Sequence, residues 1–193
     1  QALYLMMADD PELVERLVAT MNERLAVYVE ACCEKGVRSF WMGGSEHCGP
    51  GVVNPQMFRR LITPYDRRIV AIMHRHDAVV NYHTHGKLRD ILDEIAAIGV
   101  DVLSPIETGL RGDVTLAEVK ARVGDRICLK GNLDDMAFLA LAPAGEVRKA
   151  AEDCLAQAAE GGGYILSGTD AGIYRPEWVV SFLVMAEVAR EHR

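Results

Sequence analysis

Two histidines separated by a single threonine, His83 and His85, close the apolar, β-branched run Ala78-Val79-Val80, and Gly86 and Lys87 follow at once. Side chains repeat every second residue along a strand, so both imidazoles are expected on one side of it. Such a pair serves either as metal ligands or as an acid/base couple. Glu107 lies one βα unit further on, and with the histidines it makes a two-nitrogen, one-oxygen set suited to Zn²⁺. Asp170, past the last expected strand, would be a fourth ligand or a carboxylate that steadies an imidazole. Glu46 and His47 are candidates for acid/base work or substrate contact. Lys87, Arg111, Lys130 and Arg175, together with Asn132, fall beside the same stretches. In an otherwise acidic chain, such cations point to an anionic substrate group such as a carboxylate. No Ser/His/Asp ordering or nucleophile elbow occurs, which argues against a nucleophilic hydrolase.

These residues need elements to carry them. Asp10-Pro11-Glu12 reads as a helix start, and Leu13, Leu17, Met21 and Leu25 then recur at helical spacing until Gly36. Strands are expected over 37–42, 78–83, 100–104, 126–130 and 164–167. Helices fill the intervals: one opens at Asn54-Pro55 and kinks near Pro64, one carries Leu88, Ile91, Leu92 and Ile95, and one is capped by Asp113. The last begins at Pro176 with Val179, Leu183 and Ala186 on one face. Strand followed by helix five times, with no hairpin signal, predicts parallel βαβ units. An open doubly wound sheet and part of a (β/α)8 barrel both fit. The barrel is favoured because Glu46 and His47, His83 and His85, Glu107, Asn132 and Asp170 all lie just beyond strand ends, which converge on one mouth in a barrel.

The chain has 193 residues, half of them hydrophobic, enough for one α/β domain over 1–193. A net charge of −7 argues against a nucleic-acid or anionic-membrane surface. No run approaches the length of a spanning helix. Five cysteines without framework spacing point to reduced thiols and a cytoplasmic setting. The first residue is Gln1 rather than Met, as expected of a piece of a longer protein.

Three ordered stretches, His83-Thr84-His85-Gly86, Gly99 to Ser104 and Lys130-Gly131-Asn132-Leu133-Asp134, resemble the uroporphyrinogen decarboxylase superfamily. Asn54-Pro55-Gln56-Met57-Phe58-Arg59 and Gly172-Ile173-Tyr174-Arg175-Pro176-Glu177 are similar to its Pro-bearing helix and its final substrate loop. The resemblance implies a TIM-type (β/α)8 barrel, here incomplete, with about the last five units. The natural chain would then be longer, or completed by another chain, for which a homo-oligomer is one form. It also implies an enzyme. The first expectation is a methyltransferase that moves a methyl group between a small-molecule substrate and a corrinoid on a partner protein, with zinc on His83, His85 and Glu107. Zinc-holding relatives carry His-x-Cys and a final Cys; here His85 and Ala171 or Asp170 stand in those places, which counts against thiol methylation. The alternatives are a metal-free decarboxylase acting on a polycarboxylate and a non-catalytic barrel serving as a binding module.

Overall fold

The computed structural model describes residues 2–170 and 175–192. The resemblance at Gly172 to Tyr174 and the position of Ala171 lie outside the described residues. Helix α1 spans Ala2–Asp9 and α2 Pro11–Glu34. The Asp10 carboxylate accepts the Leu13 N–H at 2.9 Å and Pro11 fills the first helical position, as the sequence predicts. Strand β1 (Ser39–Gly43) leads through a short 3₁₀ turn (Ser45–Cys48) to α3 (Pro55–Leu61), capped by Asn54. The kink expected near Pro64 is a full break at Ile62, and α4 (Thr63–Arg75) starts afresh there. Then follow β2 (Val79–His83), α5 (Leu92–Ile98), β3 (Val102–Ile106) and α6 (Leu116–Val123). The chain continues through β4 (Cys128–Leu133), a π turn (Asp135–Leu139), α7 (Ala144–Ala158), β5 (Tyr164–Gly168) and α8 (Val179–Glu191).

All four strand pairings are parallel, and the order in the sheet is β1-β2-β3-β4-β5. A doubly wound sheet reverses its strand order; an order that simply follows the sequence is the winding of a (β/α) barrel. The five strands are an arc of such a barrel. One face is sealed by helices, with Val80, Leu103 and Leu129 fully buried. The other is open, and Trp41, Val79 and Ile165 are 64%, 48% and 45% exposed there.

Several boundaries differ from those expected. Strands β3 and β4 run later than the sequence suggests, so Asn132 lies within β4 and Glu107 directly after β3. Thr115, not Asp113, caps α6, in a capping box with Glu118. Asp113 instead accepts the N–H groups of Leu88 and Arg89. The face of α2 that packs inward carries Val14, Asn22, Ala26, Val29 and Cys33, whereas Leu13, Leu17, Met21 and Leu25 are 41–62% exposed. Both faces have helical spacing, and the one with smaller side chains lets the helix approach α4 closely. In the last helix Ser181, Met185 and Val188 face inward, and Val179 and Leu183 outward.

Beneath β2, the Tyr82 hydroxyl donates to Asp66 of α4 at 2.7 Å. Burial pushes the Asp66 carboxyl up from 3.8 to about 6, although the Tyr82 hydroxyl opposes the shift. Between those values the folded chain holds a proton that the unfolded chain has released. Stability from this group is therefore fully present below 3.8 and lost as pH rises to about 6. Denaturation of the parent across this window is expected to show that decline. Asp66→Asn should flatten it and leave the variant the more stable of the two at neutral pH.

Candidate functional site

The register aligns Gly43 and His83, at the C-terminal ends of β1 and β2, with Ser104 in the middle of β3. His83 is nearly buried and stacks on Trp41, with ring centroids 4.7 Å apart. His85 emerges on the same side, as the two-residue repeat predicts, and its Nε2 lies 3.0 Å from His83 Nε2. Glu107 is 3% exposed. Its Oε2 accepts the Gly86 N–H at 2.7 Å, and its Oε1 lies 3.2 Å from His85 Nδ1. The carboxylate thus stands behind His85, on the ring nitrogen opposite to the one that meets His83.

That arrangement shifts the three groups in different directions. Hydrogen bonding to Glu107 raises the His85 pKa, and burial opposes this less strongly. Burial lowers the His83 pKa, and the neighbouring His85 lowers it further. Burial alone would raise Glu107, but the contacts with His85, the Gly86 N–H and Arg111 hold it below the ordinary value. The shifts of the two histidines run in opposite directions, so His85 takes up a proton more readily than His83, and a protonated His85 has an Nε2–H to donate to His83 Nε2. Environments that push two like groups apart are how acid and base roles are assigned.

The loop after Glu107 is folded tightly enough that a Cβ on Gly112 would fall 1.8 Å from the Glu107 carbonyl oxygen. Only glycine closes that turn without displacing Glu107. The Asp113 bonds to Leu88 and Arg89 tie the same loop to the segment after His85.

Glu46, His47, Val52, His85, Gly86, Glu107 and Arg111 line one open pocket of about 530 Å³. Glu46 Oε2 accepts the Gly44 N–H at 3.0 Å. The Arg111 guanidinium lies 3.8 Å from Glu107 and 3.6 Å from Asp134. Lys130 pairs with Asp170, which also accepts the Ser104 hydroxyl at 3.1 Å. Lys87 and Arg175 are exposed. Asn132 turns to α7, where its Oδ1 accepts the Cys154 thiol at 3.0 Å. Sequence reasoning missed Trp41, Ser104 and the pairing of Asp134 with Arg111. Ser104 was findable, since it shares a register row with His83, whereas nothing local marked Trp41.

The donors expected for zinc do not assemble as a set. Among the described residues no three His, Cys, Asp or Glu side chains converge on a common point. Glu107 is engaged behind His85, and Asp170 by Lys130 and Ser104. Two imidazoles fall short of the three protein donors of a catalytic zinc.

Removing the Glu107 charge should return His85 toward or below its ordinary 6.5. NMR titration of the imidazoles is expected to give a His85 midpoint above that of His83 in the parent. In Glu107→Gln the His85 midpoint should fall, and an unchanged midpoint would refute the relay.

The uroporphyrinogen decarboxylase family profile matches residues 1–186. A uroporphyrinogen decarboxylase from Thioalkalivibrio sulfidiphilus is 31% identical over 170 residues, covering 84% of this chain and 44% of that protein. One from Vibrio cholerae is 26% identical, covering 81% and 42%. Among solved structures, a methyltransferase from Methanosarcina mazei superposes with a TM-score of 0.78 at 20% identity, covering 98% of this chain and 52% of that one. It supports the fold alone. The chain spans less than half the length of these curated relatives. Among the described residues no helix is long and apolar enough to cross a membrane. With the profile match running through all five strands and the histidine pair, the chain belongs to the uroporphyrinogen decarboxylase family.

Proposed function

We propose that the chain carries a metal-free proton-transfer site of the carboxy-lyase type, acting on a small carboxylated molecule. The observation that supports this most is the Glu107, His85, His83 relay at the wall of an open pocket. His85 is the reachable member, its side chain 30% exposed, and Glu107 behind it favours its protonated form. Arg111 offers a guanidinium on the same wall to a substrate carboxylate. Loss of carbon dioxide breaks the bond between carbon and carboxylate and leaves the electron pair on carbon. A proton from His85 then forms the new C–H bond, and solvent restores the proton. Lys130 holds Asp170, and Ser104 steadies it, so this cluster shapes the mouth beside His83. No step is assigned to zinc or to a corrinoid, because among the described residues no third His, Cys, Asp or Glu converges with the two imidazoles.

The test uses purified protein with uroporphyrinogen and with simpler polycarboxylates, following carbon dioxide release. His85→Ala should lower kcat by about 10²–10⁴, the usual contribution of a positioned proton donor. Arg111→Ala should act mainly on KM, raising it about tenfold, the share of one charge-assisted pair. Because the His85 pKa is raised, the required imidazolium is present at low pH and lost as pH rises through its midpoint. The alkaline limb of the rate profile should therefore move to lower pH in Glu107→Gln. Elemental analysis should find zinc well below one atom per chain. Stoichiometric zinc that disappears in His83→Ala/His85→Ala, with methyl transfer to cobalamin, would replace this reading by the methyltransferase one.

A further inference from the structure

The two histidines of the site are held in different ways. His85 has the Glu107 carboxylate 3.2 Å from its Nδ1. His83 has no such anchor: its Nδ1 is buried and lacks a hydrogen-bond partner among the described residues. A bond on the far ring nitrogen is the usual way an imidazole is oriented. What lies against His83 instead is the indole of Trp41, with ring centroids 4.7 Å apart and planes tilted by 39°. The register explains how the indole reaches it. Trp41 pairs with Asn81 and Gly43 with His83, so all four residues share the open face of the sheet. The Trp41 side chain leans along its strand to cover the next pair. That path crosses Gly43, where an added Cβ would fall 2.7 Å from the outer edge of the ring. A side chain at 43 would take the place beside His83 that the indole occupies. On this face Val79 is 48% exposed and His83 only 6%. Trp41 itself stays 64% exposed, so its contribution to the core is small and the side it does bury is the one on His83 and Gly43.

We propose that Trp41 is a positioning residue of the proton-transfer site: by stacking, it holds the His83 imidazole with Nε2 toward His85. Its effect on rate rests on the carboxy-lyase reading, whereas the placement of the ring does not. With the indole in place, His83 Nε2 stays 3.0 Å from His85 Nε2. Without it, nothing behind Nδ1 resists rotation of the His83 side chain, and a protonated His85 loses its fixed acceptor.

Proton NMR of the imidazoles, with carbon dioxide release measured beside it, tests this in the parent and in Trp41→Phe, Trp41→Ala and Gly43→Ala. In the parent, the indole should shift the His83 ring protons upfield, and a cross-peak should join them to the His85 ring. Trp41→Ala should abolish both signals. Gly43→Ala, whose Cβ pushes the indole aside without removing it, should weaken both. Trp41→Phe keeps an aromatic face and should retain the cross-peak. Melting curves should stay near that of the parent, because so exposed a side chain carries little stability. In turnover, Trp41→Ala should lose about tenfold in kcat with KM unchanged, the worth of one aromatic pair, and Trp41→Phe should recover most of it. A cross-peak between His83 and His85 that survives Trp41→Ala overturns the proposal, as does an unchanged kcat. A parent that releases no carbon dioxide refutes the carboxy-lyase reading, and the cross-peaks then decide the role of Trp41 by themselves.

Discussion

A buried carboxylate holds this site together. Glu107 is almost wholly removed from water, and a charge in that position persists only if neighbouring donors replace the lost hydration. Here the Gly86 N–H donates to Oε2 and the His85 ring stands 3.2 Å from Oε1, both from the segment after β2, whereas Glu107 itself follows β3. One side chain therefore ties two adjacent strand ends to each other. Removing one partner of a buried charge costs about 3–5 kcal/mol, far more than an exposed ion pair returns. Gly112 and Asp113 make this possible by keeping the loop after Glu107 folded against the segment it must reach.

The sheet's winding turns that lock into a site. Because neighbours in space are also neighbours in sequence, the end of each strand delivers its polar residue beside the one before. Ser104, Lys130 and Asp170 come from three successive βα units and still form one continuous set of contacts. Asp170 takes a left-handed backbone conformation, φ 53°, which costs free energy in a non-glycine residue and is the kind of strain found at functional sites.

Much of this was legible in the sequence for reasons of period and capping. The two-residue repeat placed His83 and His85 together, and Asp10 and Asn54 announced their helices because a short acceptor side chain before an apolar run has few other uses. The role of Glu107 was not legible. Sequence spacing brings a carboxylate to the neighbouring strand end but does not say which imidazole nitrogen it will meet, and that choice separates a metal ligand from an orienting partner. In α2 and α8 the helical period was legible but not the buried side, because each helix carries apolar residues on two faces. Asn132 belongs to the same class of failure: β4 runs past the expected end, so a residue expected at the mouth bonds to α7 instead.

The charges at the mouth also differ in what they can give to a substrate. Lys130 is held tightly by Asp170, half-buried, and a ligand could take it only by leaving that carboxylate unpaired. Arg111 is 45% exposed and sits at 3.6–3.8 Å from two carboxylates, looser than the 2.7 Å of the Arg122–Asp93 pair on the surface. A guanidinium shared loosely between two acceptors has donors to spare and little to lose on turning to a third. In a chain of net charge −7, an anionic ligand gains most from one such uncommitted cation at the edge of an acidic field. On the carboxy-lyase reading proposed above, a substrate carboxylate would be met by Arg111, whereas Lys130 stays paired with Asp170.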